Sequence, residues 1–220
     1  MTELHCKGII FDLDGVLIDS DIVSNRHWKR WAELNQVSFE HIAAIHHGLP
    51  PVRTVAAVAP HLDAAAESKV FEEWAATDME DLKVYDGARA LLAGLPAGRW
   101  GIATSSFRGL TLSRLQFLGL PVPDALVTVD DVKNGKPSPD PYLLAAEKLG
   151  LPPAQCLVIE DAPAGIRAAK TAGARVIAVA STNEVPALHE ADFVVGDLRD
   201  VAARETARGI EVLLSALLAT

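Results

Sequence analysis

The chain has 220 residues, half of them hydrophobic, and a formal net charge of −9 at neutral pH. This length suits a large core with a small second unit, and the acidic balance argues against binding a nucleic-acid backbone, for which proteins usually carry a basic surface. We expect a cytoplasmic protein that does not bind membranes, because no apolar stretch approaches the roughly 20 residues of a membrane span and the N-terminal residues lack the apolar core of a signal peptide.

The first predicted element is a buried strand over Gly8–Phe11, which ends in Asp12 and Asp14 and then in Gly15. A carboxylate is costly to bury without a cation or hydrogen-bond donors, and the side-chain period of a strand turns both acids the same way. Oxygen ligands without histidine or thiolate favour Mg²⁺. On this stretch alone, a turn cap and a solvated acid explain the two carboxylates equally well.

A helical segment follows the acidic strand end. Ser20–Leu34 is an amphipathic helix with Trp28 and Trp31 on its packing face. Residues 35–85 continue with helical patterns and no strand-like run. Because this segment interrupts the chain next to the predicted chemistry, we expect it to act as a lid.

From residue 85 onward, short apolar runs alternate with helical patterns. The predicted strands are 100–103, 125–128, 156–159, 176–180 and 193–195, and the predicted helices are 88–95, 110–118, 141–149 and 164–172. Such alternation indicates a mostly parallel sheet. Residues 209–218 suit a helix or a strand equally well. The predicted fold class is α/β, a Rossmann-like parallel sheet core over 1–18 and 86–220 with an all-helical cap domain inserted at 19–85.

Polar groups stand at further strand ends. Thr104 and Ser105 follow one strand, Lys136 lies in a loop, and Glu160 and Asp161 close another strand. The carboxyl ends of parallel strands share one edge, where ligands bind. Taken singly, the hydroxyls suit a helix N-cap, the lysine a solvated loop and the acids a turn. Taken together with Asp12 and Asp14, they suit phosphoryl transfer around Mg²⁺.

Four segments in order, FDLDGVLIDS, ATSS, KNGKPSPDPYL and VIEDAPAGI, resemble the motifs of the haloacid dehalogenase-like superfamily. The resemblance covers the core almost end to end and points to the helical-cap, β-phosphoglucomutase-like branch. It implies that Asp12 is the nucleophile, which becomes an aspartyl-phosphate. It also implies that Asp14 is the acid that protonates the leaving alcohol and then activates water. The residues alone do not decide which aspartate attacks.

The resemblance also assigns the other strand-end residues. Thr104, Ser105 and Lys136 would bind the phosphoryl group. Mg²⁺ would be held by Asp12, Glu160, Asp161 and the backbone carbonyl of Asp14.

The reaction class follows from two positions. Dehalogenases of this superfamily lack the second acid, so Asp14 favours phosphate chemistry. The alternative is a β-phosphoglucomutase-like sugar-phosphate mutase, but such mutases carry a cap-helix histidine where this chain has Ser24. A catalytically idle binding protein would not need Asp14. We therefore expect a Mg²⁺-dependent phosphatase, a phosphoric monoester hydrolase.

Residues in the cap narrow the expected substrate. His46, His47 and Arg53 resemble the cap loop of glycerol-3-phosphatases and 2-deoxyglucose-6-phosphatases. The resemblance implies small sugar or polyol phosphates as substrates, with these side chains as hydrogen-bond partners. Buried or capping histidines and a surface arginine explain the three residues as well. No exposed apolar stripe stands out, so a monomer is expected.

Overall fold

The computed structural model describes residues 1–219, and its centre is a sheet of six parallel strands. The chain begins with strands β1 (Thr2–Cys6), β2 (Gly8–Phe11) and β3 (Ile18–Asp19). Next come α1 (Asp21–Asn35), α2 (Phe39–Ala43), α3 (Pro51–Val58), α4 (Ala64–Thr77) and β4 (Lys83–Val84). The remaining elements are α5 (Ala88–Ala93), β5 (Trp100–Ala103), α6 (Arg108–Phe117), β6 (Ala125–Val127), α7 (Asp140–Lys148), β7 (Cys156–Glu160), α8 (Pro163–Ala172), β8 (Arg175–Val179), β9 (Phe193–Val195), β10 (Val201–Thr206) and β11 (Gly209–Leu214).

The order of strands in the large sheet is β6-β5-β2-β7-β8-β9, and every neighbouring pair is parallel. The central strand β2 is buried along its whole length. Phe11 of β2 pairs with Ile102 of β5 on one side and with Ile159 of β7 on the other. The residues that directly follow Phe11, Ile102 and Ile159 therefore lie side by side at the carboxyl-terminal edge of the sheet.

The sheet is covered on both faces, as a continuous apolar run predicts. Ile9 and Phe11 belong to one buried cluster, and Ile10 between them belongs to a second cluster with Val158 and Val176. This alternation is that of a strand between two layers. The structure confirms the predicted α/β fold with a parallel sheet core.

The four helices between β3 and β4 pack around a separate apolar cluster, to which α6 also contributes. Trp28 and Trp31 are buried there, with their rings 5.7 Å apart in an edge-to-face arrangement. Phe71 of α4 and Leu110 of α6 complete this cluster. The expected packing role of the two tryptophans is confirmed. The division of the chain into a core domain and a cap domain stays a prediction.

The structure decides one open element and contradicts one expectation, and it contains three strands that the sequence analysis did not predict, β1, β3 and β10. The undecided residues 209–218 contain the strand β11, which pairs with β1 and β10 in a three-stranded antiparallel sheet. The expectation of no strand within residues 35–85 is wrong, because β4 pairs with β3. That pairing spans two residues on each side, which is too short to leave a pattern in the sequence.

The two cysteines of the chain, Cys6 and Cys156, are both free and buried. Burial raises the pKa of each thiol to about 11, which keeps both protonated and unreactive near neutral pH. No helix within residues 1–219 is long and apolar enough to cross a membrane.

Helix α8 passes very close to the end of β7. A Cβ atom on Gly165 would lie 1.5 Å from Oε1 of Glu160. Only a glycine leaves room at this point while Glu160 keeps its place. The first turn of α8 and the end of β7 are therefore fitted to each other.

We predict that Gly165→Ala lowers stability, although alanine normally favours a helix interior. The added methyl group must displace Glu160 or the helix, at a cost of roughly 1–3 kcal/mol. The matched control is Gly109→Ala in α6, where nothing lies within 4 Å of an added Cβ. Urea unfolding measures both variants, and equal midpoints would contradict the prediction.

Candidate active site

Carboxylates and one lysine meet at the edge of the sheet where β2, β5 and β7 end. Asp12 follows β2, Thr104 follows β5 and Glu160 closes β7, each at most 3% exposed. Lys136 reaches them from the loop between β6 and α7 and is fully buried. The structure thus brings the predicted strand-end groups together.

Lys136 bridges the two neighbouring strands through their carboxylates. Its Nζ atom lies 2.9 Å from Oδ1 of Asp12 and 2.7 Å from Oε1 of Glu160. A buried ammonium group is costly unless it is paired and hydrogen-bonded. Burial opposes its charge, but attraction to the two carboxylates prevails and holds the pKa of Lys136 above its ordinary value. The sequence-based alternative of a solvated loop lysine is wrong.

Glu160 is held by donors on both of its oxygens. Besides Lys136, the hydroxyl of Tyr142 donates to Oε1 at 2.7 Å. The backbone N–H groups of Asp161 and Ala162 donate to Oε2 at 2.9 and 3.0 Å. These bonds fix the glutamate, and through it the lysine.

Asp161 has one oxygen bound and one oxygen free. The hydroxyl of Thr182 donates to Oδ2, whereas Oδ1 is buried and has no hydrogen-bond partner within residues 1–219. Asp12, Glu160 and Asp161 each offer an oxygen, all within 4.8 Å of one another. An orphaned carboxylate oxygen among others is costly without a cation. These residues therefore fit a hard divalent cation.

The charges of the cluster also favour a cation. Three buried carboxylates face one ammonium group. Burial raises the pKa of Asp12 to about 7, although Lys136 opposes the shift. Burial, together with repulsion from Glu160 and Asp12, holds the pKa of Asp161 well above its ordinary range. A divalent cation would balance these charges and release the protons.

Asp14 lies on the loop after β2, and three donors hold it. Ser20 and Arg114 donate to Oδ1, each at 2.6 Å, and Ser106 donates to Oδ2 at 2.8 Å. The loop can turn here because the next residue, Gly15, has a φ of +83°. A Cβ there would also lie 2.2 Å from Oδ2 of Asp161, so a side chain does not fit.

The three hydroxyl residues after β5 have different contacts. Oγ1 of Thr104 accepts from the N–H of Ser106 at 3.1 Å, and Oγ of Ser105 donates to the carbonyl of Gly48 at 2.9 Å. None of them caps α6, whose N-cap residue is Phe107. The N-cap alternative is therefore wrong. All three line one cavity together with Asp12 and Asp14.

The cap residues divide into two groups. His46 and His47 line the cavity with their ring centroids 4.0 Å apart. Burial and the neighbouring His47 lower the pKa of His46 to about 3, so its ring is neutral. His47 Nδ1 lies 3.4 Å from Oδ1 of Asp21. Arg53 is exposed on α3, and the structure does not bring it into the cavity.

Sequence reasoning missed several side chains that hold the predicted site residues, among them Arg114, Tyr142 and Thr182. Arg114 left a signal, because it stands four residues after Leu110 and next to Leu115, both buried. It thus occupies the core-facing side of a predicted helix, where a charged residue needs a partner. The other two left no comparable signal.

The chain matches the model of the haloacid dehalogenase-like hydrolases over residues 6–173. It is 39% identical over 214 residues to hexitol phosphatase A of Escherichia coli strain K12, an alignment covering 94% of this chain and 98% of that protein. It is 33% identical over 202 residues to glycerol-1-phosphate phosphohydrolase 2 of Saccharomyces cerevisiae, with 86% and 80% covered.

Solved structures agree with these relatives. A hydrolase from Pseudomonas syringae matches with a TM-score of 0.78 and 29% identity, covering 89% of this chain and 95% of that one. A putative beta-phosphoglucomutase from Bacteroides vulgatus matches with a TM-score of 0.73 and 30% identity, covering 89% and 86%.

These matches bear on the sequence-based predictions of family and reaction class. The hydrolase family and the phosphatases among the relatives confirm the predicted class of enzyme, a phosphoric monoester hydrolase. The structural neighbours confirm the fold. Since the family match spans most of the sequence, the chain belongs to the haloacid dehalogenase-like hydrolases.

Proposed function

We propose that the protein hydrolyses small sugar or polyol phosphates, with Asp12 as the nucleophile and Asp14 as the acid and base. The observation that carries the proposal is the contrast between two carboxylates of one loop. Asp12 is buried beside Lys136 at 2.9 Å, whereas Asp14 is part-exposed and is bound by the Arg114 guanidinium and two hydroxyls. Two carboxylates in different environments can have different roles in one reaction, here those of nucleophile and of acid and base.

The reaction has two steps with balanced protons. First, an oxygen of Asp12 attacks phosphorus, the bond to the sugar oxygen breaks, and Asp14 gives its proton to that oxygen. Second, Asp14 takes a proton from water, whose oxygen attacks the phosphorus of the aspartyl-phosphate. Phosphate leaves, and both aspartates return to their starting states.

The phosphoryl group would be bound by Lys136, Thr104 and Ser105. Lys136 carries the fixed positive charge nearest to Asp12, and the two hydroxyl residues line the same cavity. Charge neutralisation and positioning supply most of the catalysis in phosphoryl transfer.

Mg²⁺ is the proposed cofactor. Asp12, Glu160 and Asp161 would hold it with the backbone carbonyl of Asp14, and the orphaned Oδ1 of Asp161 supports this assignment. When bound, the ion would supply positive charge against the phosphoryl oxygens.

The segment 19–85 is proposed to be a cap domain that closes over the site. Ser105 donates to the carbonyl of Gly48 at 2.9 Å. A Cβ on Gly48 would lie 2.6 Å from the Cβ of Ala162, and a Cβ on Gly135 would lie 2.8 Å from Pro50. This cap loop thus rests directly on three loops of the core. A lid in such contact would limit the access of water to the site.

The cavity walls favour uncharged substrate bodies. Asp21 and Glu72 of the helical segment also line the cavity, and His47 stands beside Asp21. Burial raises the pKa of both acids. Carboxylates and imidazoles bind hydroxyl groups, whereas like charges facing each other disfavour a second anionic group. Hexitol and glycerol phosphates, named for two relatives, have this chemistry.

The mutase alternative has less support from the residues that line the cavity. Ser24 lines the cavity where the mutases carry histidine, and a serine hydroxyl alone is a poor base. A mutase also needs a bisphosphate, which Asp21 and Glu72 would repel. His46 and His47 remain proposed partners of substrate hydroxyls, and Arg53 stays a prediction without contact to the cavity.

A cytoplasmic location, a monomeric state and the lack of nucleic-acid or membrane partners stay predictions. They rest on the composition of the chain and on its charge of −9.

We predict that Asp12→Asn lowers turnover on the order of 10³-fold or more, because the amide is a poor nucleophile. The similar shape of the amide should leave the protein folded. Phosphate release is measured from glycerol phosphates, hexitol phosphates, hexose 6-phosphates and β-glucose 1-phosphate. Asp124→Asn on the surface is the control. Turnover retained in the Asp12 variant would refute the nucleophile, and isomerisation without phosphate release would favour the mutase.

We predict that Mg²⁺ raises the melting temperature relative to EDTA. At an ion concentration 100 times the dissociation constant, the gain of about 2.7 kcal/mol corresponds to roughly 5–10 °C for a chain of this size. Asp161→Asn should lose most of this shift, and Asp124→Asn should keep it. A shift of the same size in both variants would exclude Asp161 from the ion site.

We predict that Glu72→Gln raises kcat/KM for glucose 1,6-bisphosphate about tenfold relative to a hexitol monophosphate, because a facing negative charge is removed. The control is Glu73→Gln, which alters the exposed neighbour outside the cavity. An unchanged ratio of the two substrates would mean that Glu72 does not select against anions.

A further inference from the structure

We propose that Arg114 is a positioning residue for Asp14 and selects which of its two oxygens transfers the proton. The inference rests on the proposed function, in which Asp14 is the acid and base. Arg114 belongs to α6 and lies outside the four sequence segments that carry the resemblance. The inference also assigns a separate role to each of the two carboxylate oxygens of Asp14.

The contact between the two residues is short and buried. Nη1 of Arg114 lies 2.6 Å from Oδ1 of Asp14, and the arginine side chain is 5% exposed. Leu110 and Leu115, on the same face of α6, are buried. An arginine in this setting costs free energy unless a carboxylate compensates it.

A purely structural role explains the arginine poorly. Its Nε atom is buried and has no hydrogen-bond partner within residues 1–219. A buried ion pair with an unsatisfied donor is a weak source of stability, and hydrophobic residues often replace such pairs without loss. The guanidinium also lines the cavity beside Asp14, where it can act on the chemistry.

The donors divide unequally between the two oxygens of Asp14. Among residues 1–219, Oδ1 accepts from both Arg114 and Ser20, whereas Oδ2 accepts from Ser106 alone. A guanidinium can only donate, so Oδ1 stays an acceptor whatever the state of Asp14. The hydroxyl of Ser106 can turn and accept instead. The proton of the neutral acid therefore belongs on Oδ2.

This division gives each oxygen one task. In the first step Oδ2–H gives its proton to the leaving sugar oxygen, and in the second step Oδ2 takes a proton from water. Oδ1 remains bound to Arg114 throughout, so the carboxylate does not rotate between the steps. Holding the transferring atom in place is worth part of the roughly 10²–10⁴-fold of general acid catalysis.

The test compares two leaving groups. A polyol oxygen needs a proton to leave, whereas p-nitrophenolate leaves without one. Because kcat/KM reports the first step, we expect Arg114→Met to lower it about 10–100-fold for the best polyol phosphate of the panel and less than about threefold for p-nitrophenyl phosphate. On the latter substrate kcat and KM should fall together, since slow attack of water makes the phosphoenzyme accumulate.

Three further variants make the test specific. Asp14→Asn should give the same pattern, and Asp14→Asn with Arg114→Met should lose no more than Asp14→Asn alone. Arg108→Met removes the arginine at the start of α6, which pairs with Asp131 at 2.6 Å outside the cavity, and should leave both substrates unaffected. Arg114→Lys keeps the charge with a single-point donor and should restore part of the polyol activity; it replaces Arg114→Met if urea unfolding shows that variant to be unfolded.

The outcomes are distinguishable. Equal losses on both substrates, no loss, or additive losses in the double variant would overturn the role of Arg114 while the wild-type enzyme still hydrolyses polyol phosphates. A wild-type enzyme that releases phosphate from no substrate of the panel would overturn the proposed function and this inference with it.

Discussion

The ammonium group of Lys136 lies fully buried between Asp12 and Glu160, at 2.9 and 2.7 Å, and the rest of the site is arranged around it. Burying one such charge without partners costs several kcal/mol. Glu160 can serve as a partner only because Tyr142 and two backbone N–H groups hold it in place. The ion pairs therefore connect β2, β7 and the loop after β6 into one electrostatic unit, whose members cannot be exchanged independently.

The residues proposed for chemistry and those proposed for selectivity belong to different parts of the chain. Asp12, Thr104 and Glu160 stand at the ends of central strands and are at most 3% exposed, so packing on both faces of the sheet fixes their positions. Two further acids that line the cavity, Asp21 and Glu72, belong to the helical segment, where they are part-exposed. A rigid scaffold with variable surroundings allows the substrate to change while the reaction is kept.

The sequence predicts the strand ends well, because an apolar run that stops at an acid leaves a clear pattern and parallel strands bring such ends to one edge. Asp12 and Glu160 follow from this pattern, whereas Lys136 lies in a loop and joined the predicted site only together with them. The partners of Asp14 could not be read so directly. Arg114 lies 100 residues away in the chain, and its contact depends on how α6 is rotated against the loop after β2. Arg53 is a residue that the sequence suggested for the site and that the structure does not bring into the cavity. Its place in a loop resembling that of the family did not determine which face of α3 it occupies.

The small antiparallel sheet has a consequence for how the chain acquires its structure. Thr2 pairs with Leu214, and β11 lies between β1 and β10. Leu4, Ile210 and Val212 enter the same apolar cluster as Ile9 and Phe11 of β2. During synthesis β1 has no partner until β11, made long afterwards, has left the ribosome, and pairings of such sequence separation form slowly. The layer beneath β2 is thus completed late, which couples the maturation of the candidate active site to a segment remote from it.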